Sequence, residues 1–244
     1  MGREKGVGFA LCPLPAAPYL CPAQNESMIK ACIFDLDGVI VDTAKYHFQA
    51  WRRLANELGF DFSEADNEQL KGVSRMESLE IILKWGGVAL SEEQKIEWAD
   101  RKNEWYKALI SNMTPDEILP GVPEFLAQLQ SNGIRIALGS ASKNALPVIE
   151  SIGLGPVFEV VIDGTQTTLS KPDPQVFRLG AQRLGLKPYE CIVFEDAESG
   201  IEAALNGRFY AVGIGRPEVL GKAHLVIPGF VGLQWEEVVK AMGV

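Results

Sequence analysis

The chain has 244 residues, of which 47% are hydrophobic, and its formal net charge is -9 at pH 7. That is enough for one good core, alone or with a small accessory domain. The negative charge and the lack of a Lys/Arg cluster argue against a nucleic-acid groove and an anionic membrane surface. No apolar run approaches the roughly 18 residues that would cross a bilayer.

None of the four cysteines stands in a C-x-x-C pair; they are Cys12, Cys21, Cys32 and Cys191. Cys32 and Cys191 fall in predicted core strands, where a free thiol behaves as a small hydrophobic side chain. The cysteines therefore predict a reducing cytoplasm, with no disulfide framework and no zinc site.

Residues 1–27 differ in character from the rest of the chain. They contain four prolines and show no sustained periodicity, and Met28 directly precedes the first predicted strand. A signal peptide would need an apolar stretch, which these prolines interrupt. We expect residues 1–27 to be a disordered N-terminal extension or the product of an upstream translation start.

An apolar run over 29–34, rich in β-branched residues, predicts a buried strand, and two carboxylates follow it, Asp35 and Asp37. Alternate residues of an extended chain point to the same side, and open α/β sheets bind ligands at the carboxyl ends of their strands. Like charges this close favour either a bound cation or a proton held on one partner. Because Asp37-Gly38 is also typical of a surface turn, the rest of the chain has to decide between a site and a turn.

Three helices with no strand between them are predicted to follow the carboxylate pair. Apolar stripes at helical spacing define them, and two of the starts have capping-box spacing. Their predicted N-caps are Asp42 or Thr43, Ser74 and Ser91. Because these helices are inserted directly after the first strand, we expect 43–113 to form a helical cap domain on a core made of 28–42 and 114–244.

Strands and helices alternate after this segment. The further predicted strands cover 134–138, 160–162, 191–194, 209–212 and 225–227. One intervening helix is predicted to have Asp173 as its N-cap and Pro174 in its first turn. Strands that alternate with helices imply an α/β fold, with a doubly wound parallel sheet at its centre.

Chemically distinct side chains follow four of the predicted strands. They are Asp35 and Asp37, Ser140, Lys171, and Glu195 with Asp196. Parallel strands bring their carboxyl ends to one edge of the sheet. Carboxylates, a cation, a hydroxyl and backbone N–H groups gathered there suit phosphoryl transfer with Mg²⁺, which prefers oxygen ligands.

In this order the motifs resemble the four motifs of the haloacid dehalogenase superfamily, over residues 29 to about 228. Further segments are similar to the β-phosphoglucomutase family, namely 46–51, 69–75, 141–144 and 215–218. The resemblance implies a Rossmann-like core with an α-helical cap. It also implies the interconversion of β-D-glucose 1-phosphate and D-glucose 6-phosphate through a β-glucose 1,6-bisphosphate intermediate.

The resemblance also implies roles for individual residues. Asp35 is the expected nucleophile, which forms an aspartyl phosphate, and Asp37 is the expected general acid and base. The expected metal ligands are Asp35, the backbone carbonyl of Asp37, and Asp196, with Glu195 either beside the metal or a spectator. The groups expected to hold the transferring phosphate are Ser140, the Ala141 N–H and Lys171.

Another set of residues is expected to bind the rest of the substrate. Arg75 is the candidate for the distal phosphate, since guanidinium grips phosphate bidentately, and its alternative is a solvated residue in a first helical turn. The other candidates are His47, Trp51, Gly72, Val73, Ser74, Lys102, Ser142, Lys143 and Asn144. Three of these have structural alternatives, namely helix packing for His47, packing within the cap for Trp51 and a solvated face for Lys102.

The expected protein is thus a monomeric enzyme acting on a small sugar phosphate, with Mg²⁺ as cofactor and glucose 1,6-bisphosphate as activator. A phosphatase of the same fold is the alternative, because water need only replace the sugar hydroxyl; the segment 71–75 favours the mutase. A third hypothesis, a non-catalytic phosphosugar-binding module, does not account for the presence of both aspartates that turnover requires. A dehalogenase would leave Asp37 and the Mg²⁺ carboxylates without a role.

Overall fold

The computed structural model describes residues 10–11 and 29–244, which contain a seven-stranded sheet. Its strands are β1 (Ala10–Leu11), β2 (Ala31–Phe34), β3 (Arg135–Gly139), β4 (Val160–Ile162), β5 (Cys191–Glu195), β6 (Tyr210–Ile214) and β7 (Leu225–Ile227). The order is β1-β7-β6-β5-β2-β3-β4, and all neighbours from β7 to β4 are parallel. β1 pairs antiparallel with β7, so two residues of the extension 1–27 belong to the sheet. The rest of that extension, with Cys12 and Cys21, lies outside the described residues.

Within the described residues ten α-helices accompany the sheet. They are α1 (Ala44–Glu57), α2 (Glu64–Glu68), α3 (Arg75–Gly86), α4 (Glu92–Ile110), α5 (Val122–Ser131), α6 (Ala145–Ser151), α7 (Gln175–Arg183), α8 (Glu198–Asn206), α9 (Pro217–Leu220) and α10 (Trp235–Met242). The sequence pattern does not predict α9 or α10. The first four helices follow one another without a strand, and we call residues 44–110 the helical insertion.

The insertion has four helices where three were expected. The additional helix, α2, starts at a capping box in which the Ser63 hydroxyl accepts from the Asp66 N–H. Aspartate at the third helical position replaces the usual Glu or Gln, which is why the pattern does not reveal this helix. At α7 the prediction is wrong by one residue, because Pro174 is the N-cap and the Asp173 carboxylate accepts from the Gln175 N–H at 2.9 Å.

The main core covers both faces of the sheet. Residues of β2 alternate as an extended chain requires: Cys32 and Phe34 pack with α5, α6 and α10, whereas Ala31 and Ile33 pack with α7 and α8. The Phe34 ring stacks on that of Phe194 from β5, with centroids 4.7 Å apart. This is the predicted doubly wound arrangement of helices on both sides of a parallel sheet.

The helical insertion has its own apolar cluster and also touches the main core. Its cluster contains Trp51, Leu54, Ala55, Phe62, Leu70, Leu79, Ile82, Leu83 and Ala99. Tyr106 and Ile110 of α4 pack instead with the main core. The segments that enter and leave the insertion run side by side, since Val41 forms a bridge with Ile118. Across the part of the chain that the structure describes, every helix is too short or too polar to span a bilayer.

Candidate active site

The first two carboxylates are positioned by the end of β2. Asp35 is buried, and its N–H donates to the Phe194 carbonyl at 2.9 Å, which continues the parallel pairing beyond the strand. The Asp37 N–H donates to Asp35 Oδ2 at 3.0 Å. Gly38 has φ +77°, and a Cβ there would overlap the Asp196 carboxylate. Glycine therefore lets the chain turn directly against the carboxylate that follows β5.

Lys171 links two of the strand ends through buried ion pairs. Its Nζ lies 2.5 Å from Asp35 Oδ1 and 2.7 Å from Glu195 Oε2, and all three side chains are buried. Burial opposes the charge on Lys171, but the two carboxylates outweigh burial and raise its pKa above the ordinary value. The burial of Asp35 in this ion pair is incompatible with the surface-turn interpretation of the stretch from Asp35 to Gly38.

Three carboxylates form a candidate metal centre. One oxygen each from Asp35, Glu195 and Asp196 lie within 4.8 Å of one another. Burial raises the pKa of Glu195 to about 8 and that of Asp196 to about 6, with Lys71 opposing the shift at Asp196. The Lys71 ammonium lies 3.2 Å from Asp196 Oδ2. A compact, largely buried and oxygen-only set with excess negative charge fits Mg²⁺.

Asp37 lies beside this group but has a different environment. Its carboxylate accepts a hydrogen bond from the Thr43 hydroxyl. Burial, followed by the charges of Asp35 and Asp196, raises the pKa of Asp37 to about 8. A carboxyl group with this pKa holds a proton near neutral pH, as a general acid has to.

A cavity of about 490 Å³ opens between the helical insertion and the carboxyl ends of the strands. Most of the predicted site residues line it, namely Asp35, Asp37, His47, Trp51, Gly72, Val73, Ser74, Arg75, Lys102, Ala141, Ser142, Lys143, Asn144, Lys171 and Asp196. Two others lie behind the lining. Glu195 is joined to the cavity through Lys171, and the buried Ser140 hydroxyl accepts from the Ser142 N–H at 3.1 Å.

Lys102 is the centre of the cavity wall formed by α1 and α4. Its Nζ lies 3.0 Å from His47 Nδ1 and 4.1 Å from the centroid of the Trp51 ring. The residue is only 2% exposed, so the solvated-face interpretation is wrong. Burial and then Arg75 lower the pKa of Lys102, while burial and then Lys102 lower that of His47. The His47 ring nitrogen and the Lys102 amine are thus in direct contact in a buried place, and Trp51 both packs in the insertion and lines the site.

The remaining candidates divide between the two walls. Arg75 is partly buried, and its guanidinium lies 3.7 Å from the Asp100 carboxylate. On the opposite wall Asn144 is buried and donates from Nδ2 to Asn103 Oδ1 of α4 at 2.9 Å, which ties the insertion to the sheet. Ser74 is the N-cap of α3, as predicted, but its hydroxyl donates to the Glu77 carboxylate instead of capping the backbone.

Several cavity residues are not predicted from the sequence. Among the polar ones are Lys71, Asn103, Tyr106 and residues of the loop 167–170. Tyr106 stands four positions after Lys102 and so shares its helical face, a signal that could have identified it. The loop has no such signal, because its place in the cavity depends on the packing of β4 and α7.

The sequence profile of the family described as "haloacid dehalogenase-like hydrolase" matches residues 29–207. The chain belongs to the haloacid dehalogenase family. This membership, the predicted resemblance to β-phosphoglucomutases and the predicted fold are confirmed.

Individual members of the haloacid dehalogenase family make the relationship more specific. A β-phosphoglucomutase of Bacillus subtilis is 42% identical over 201 residues, covering 82% of this chain and 89% of that protein. The crystal structure of a β-phosphoglucomutase from Clostridium difficile has a TM-score of 0.85 and 43% identity, covering 88% of this chain and 97% of that one. A phosphorylated carbohydrates phosphatase of Thermotoga maritima is 34% identical, covering 75% of this chain and 85% of that protein.

Proposed function

We propose that this enzyme interconverts β-D-glucose 1-phosphate and D-glucose 6-phosphate by Mg²⁺-dependent phosphoryl transfer, with β-glucose 1,6-bisphosphate as the intermediate. The observation that carries the proposal is one cavity that is lined both by the strand-end carboxylates with Lys171 and by Arg75. A buried lysine–carboxylate centre lies at Asp35, and the helical insertion supplies Arg75 to the same cavity. A mutase has to hold both phosphates of a bisphosphate, and guanidinium suits the phosphate that does not react. The 42% identity to a β-phosphoglucomutase supports the choice of sugar.

In the proposed reaction a carboxylate oxygen of Asp35 attacks the phosphorus, and the bond from phosphorus to the sugar oxygen breaks. Asp37 gives its proton to that leaving oxygen and later takes a proton from the sugar hydroxyl that attacks the aspartyl phosphate. Lys171 holds Asp35 in place and offsets negative charge in a dry environment. Mg²⁺ held by Asp35, Asp196 and the Asp37 carbonyl, with Glu195 adjacent, would neutralise charge between the nucleophile and the phosphate.

We also propose that residues 43–113 are a cap domain that closes on the core of 28–42 and 114–244. Closure would bring the segment 71–75 onto the sugar, while Ser140, Ala141 and Lys171 hold the reacting phosphate. Exclusion of water would protect the aspartyl phosphate from hydrolysis. The monomeric state and the cytoplasmic location stay predictions.

The proposed reaction is tested by incubating the protein with Mg²⁺, β-glucose 1-phosphate and a trace of glucose 1,6-bisphosphate. We expect glucose 6-phosphate to form, and Asp35→Ala to abolish its formation without loss of the folded state. Release of inorganic phosphate in place of glucose 6-phosphate would contradict mutase activity.

A sugar-phosphate phosphatase is the second candidate, because the Thermotoga maritima relative is named a phosphorylated carbohydrates phosphatase. Arg75→Ala separates the two candidates. In a mutase, kcat/KM for β-glucose 1-phosphate should fall by about 10- to 100-fold, the scale of a charged hydrogen bond, while hydrolysis of acetyl phosphate, which has no second phosphate, stays unchanged. Arg53→Ala, on an exposed face of α1, is the matched control and should change neither activity.

A further inference from the structure

Large hydrophobic side chains are exposed around the mouth of the cavity. Among the described residues, the exposed ones are Met76, Trp85, Ile96, Leu146, Leu169, Tyr189, Val219 and Val231. Three of them line the cavity, namely Met76, Ile96 and Leu169. We call these three residues the apolar rim.

On the helical insertion, the rim residue Ile96 lies at the outer end of a buried face of α4. Tyr106, Asn103, Ala99 and Ile96 are three or four residues apart, so they share one face of the helix. The first three are 1%, 8% and 2% exposed, whereas Ile96 is 56% exposed. At 1.5 Å per residue, about 15 Å of helix separates Tyr106 from Ile96. Ile96 therefore marks the mouth of the cavity on this wall.

The wall formed by the sheet has the same gradient. Lys171 is buried, while Leu169, two residues earlier, is 54% exposed. The Leu169 backbone is nevertheless held in place, because Gln175 Oε1 accepts from the N–H groups of Thr168 at 2.8 Å and of Leu169 at 2.9 Å. Leu169 is thus presented to solvent by an anchored backbone.

The two walls approach each other beside the rim. Burial alone would raise the pKa of the Glu77 carboxylate on α3, but the nearby Ser170 hydroxyl of the sheet wall and Ser74 lower it. Glu77 follows Met76 in the chain, and Ser170 follows Leu169. The aliphatic side chains of both walls therefore stand next to the point where insertion and sheet already meet.

An aliphatic rim offers no hydrogen bonds to a charged sugar phosphate, and its exposure to water is unfavourable. If the rim side chains pack against one another, their apolar surface is removed from water and no hydrogen-bonding group is left unpaired. We propose that Met76, Ile96 and Leu169 pack together across the cavity mouth when substrate is bound, and that this contact excludes water from the aspartyl phosphate. The inference rests on the proposed mutase function and deepens it, because it names the residues that favour the sugar over water as acceptor.

The competing reaction is hydrolysis of the aspartyl phosphate. A water oxygen bonds to phosphorus, the bond from phosphorus to the Asp35 oxygen breaks, and a water proton passes to Asp37. The products are inorganic phosphate and a free Asp35 carboxylate. The sugar hydroxyl reacts at the same phosphorus in the same way, so the ratio of the two products reports how well water is excluded.

The test measures glucose 6-phosphate and inorganic phosphate in one assay for Leu169→Ser, Ile96→Ser and the control Leu146→Ser. Leu146 lies on α6, is 44% exposed and does not line the cavity. We expect the phosphate released per glucose 6-phosphate to rise about fivefold in each rim variant, the order expected when roughly half of a large aliphatic side chain loses its burial. The control should keep the wild-type ratio.

Gln175 provides a second set of variants that leaves the rim side chains intact. Gln175→Ala removes the acceptor that anchors Leu169 and should raise the product ratio, whereas Gln175→Glu keeps an acceptor oxygen and should restore the wild-type ratio. An unchanged ratio of phosphate to glucose 6-phosphate in folded Leu169→Ser and Ile96→Ser, or equal losses of both products, would overturn the proposed packing of the apolar rim. A wild-type protein that forms no glucose 6-phosphate would overturn the proposed function itself, and with it the role proposed for the apolar rim.

Discussion

At the scale of single residues, Lys171 sets the charge balance of the site. Its side chain is 1% exposed, and its ammonium pairs with two carboxylates that are themselves buried. Removal of one partner from a buried ion pair leaves an uncompensated charge in a poorly solvated place, which is more costly than loss of the pair as a whole. The centre therefore depends on this lysine for stability as well as in the proposed reaction.

We predict that Lys171→Met lowers the free energy of unfolding by about 3–5 kcal/mol in the absence of Mg²⁺ at pH above 8. Urea unfolding followed by circular dichroism measures the change. Lys222 also pairs with two carboxylates, those of Glu198 and Glu202, but it is exposed. Lys222→Met should therefore cause no measurable change, and equal losses in the two variants would contradict the role assigned to burial.

The sequence allows the acidic and basic residues of the site to be predicted, because each follows a strand and parallel strands end at one edge. Asp35, Lys171 and Asp196 are found where this rule puts them. The rule does not predict that Ser140 and Glu195 lie behind the lining, since depth below a surface depends on how neighbouring loops pack. It also does not predict the contact of Lys71 with Asp196, because Lys71 comes from a different part of the fold.

At the scale of elements, α5 is held at both ends by glycines with positive φ. Gly121, its N-cap, has φ +84°, and a Cβ there would overlap the backbone of Phe230. Gly133, which follows its C-terminus, has φ +71°, but a Cβ there would meet nothing within 4 Å. The two positions have the same backbone requirement and differ in steric surroundings.

Gly133→Ala should therefore lower the free energy of unfolding by about 1–2 kcal/mol, the penalty of a left-handed conformation for a residue with a Cβ. Gly121→Ala should lower the free energy of unfolding by at least about 2 kcal/mol more, because the backbone at Phe230 has to move away from α5. Urea unfolding of both variants measures the difference. Similar losses would show that the Gly121 site relaxes without strain.

Element types can be predicted from this sequence more fully than element ends and short helices. Apolar periodicity is sufficient for β2 and α4, where many residues repeat one pattern. The five-residue α2 is too short for a periodic signal, and α10 follows the last strand without a strand after it to define a repeating unit. The start of α7 depends on whether Pro174 or Gln175 is the first helical residue. The two alternatives differ by only one backbone hydrogen bond, so the sequence pattern does not decide between them.

At the scale of the whole molecule, metal binding is coupled to protons and to folding. Burial raises the pKa of Asp196 to about 6 and that of Glu195 to about 8. A carboxyl whose folded-state pKa is raised stabilises the fold below its ordinary pKa, and this stabilisation is lost as pH rises through the folded-state value. Mg²⁺ held by the ionised carboxylates, as proposed above, would oppose this loss.

We predict that the increase in unfolding temperature caused by a fixed excess of Mg²⁺ is larger at about pH 8.5 than at about pH 5.5, because fewer protons have to be displaced. Differential scanning fluorimetry measures it. Asp196→Asn should remove most of the increase at both pH values. An increase that is independent of pH in the wild type would show that these carboxyls do not hold the metal.

The segments that connect the helical insertion to the sheet lie next to each other, since the Leu119 N–H donates to the Ile40 carbonyl at 2.9 Å. The insertion thus leaves and re-enters the rest of the molecule at a single point. A different block could therefore be joined at this point without interrupting the sheet, provided that it covers the part of the main core on which Tyr106 and Ile110 pack. Under the proposed function, Arg75 and the carboxylates at the strand ends are then encoded by separable stretches of gene, and selection can change the first while inheriting the second.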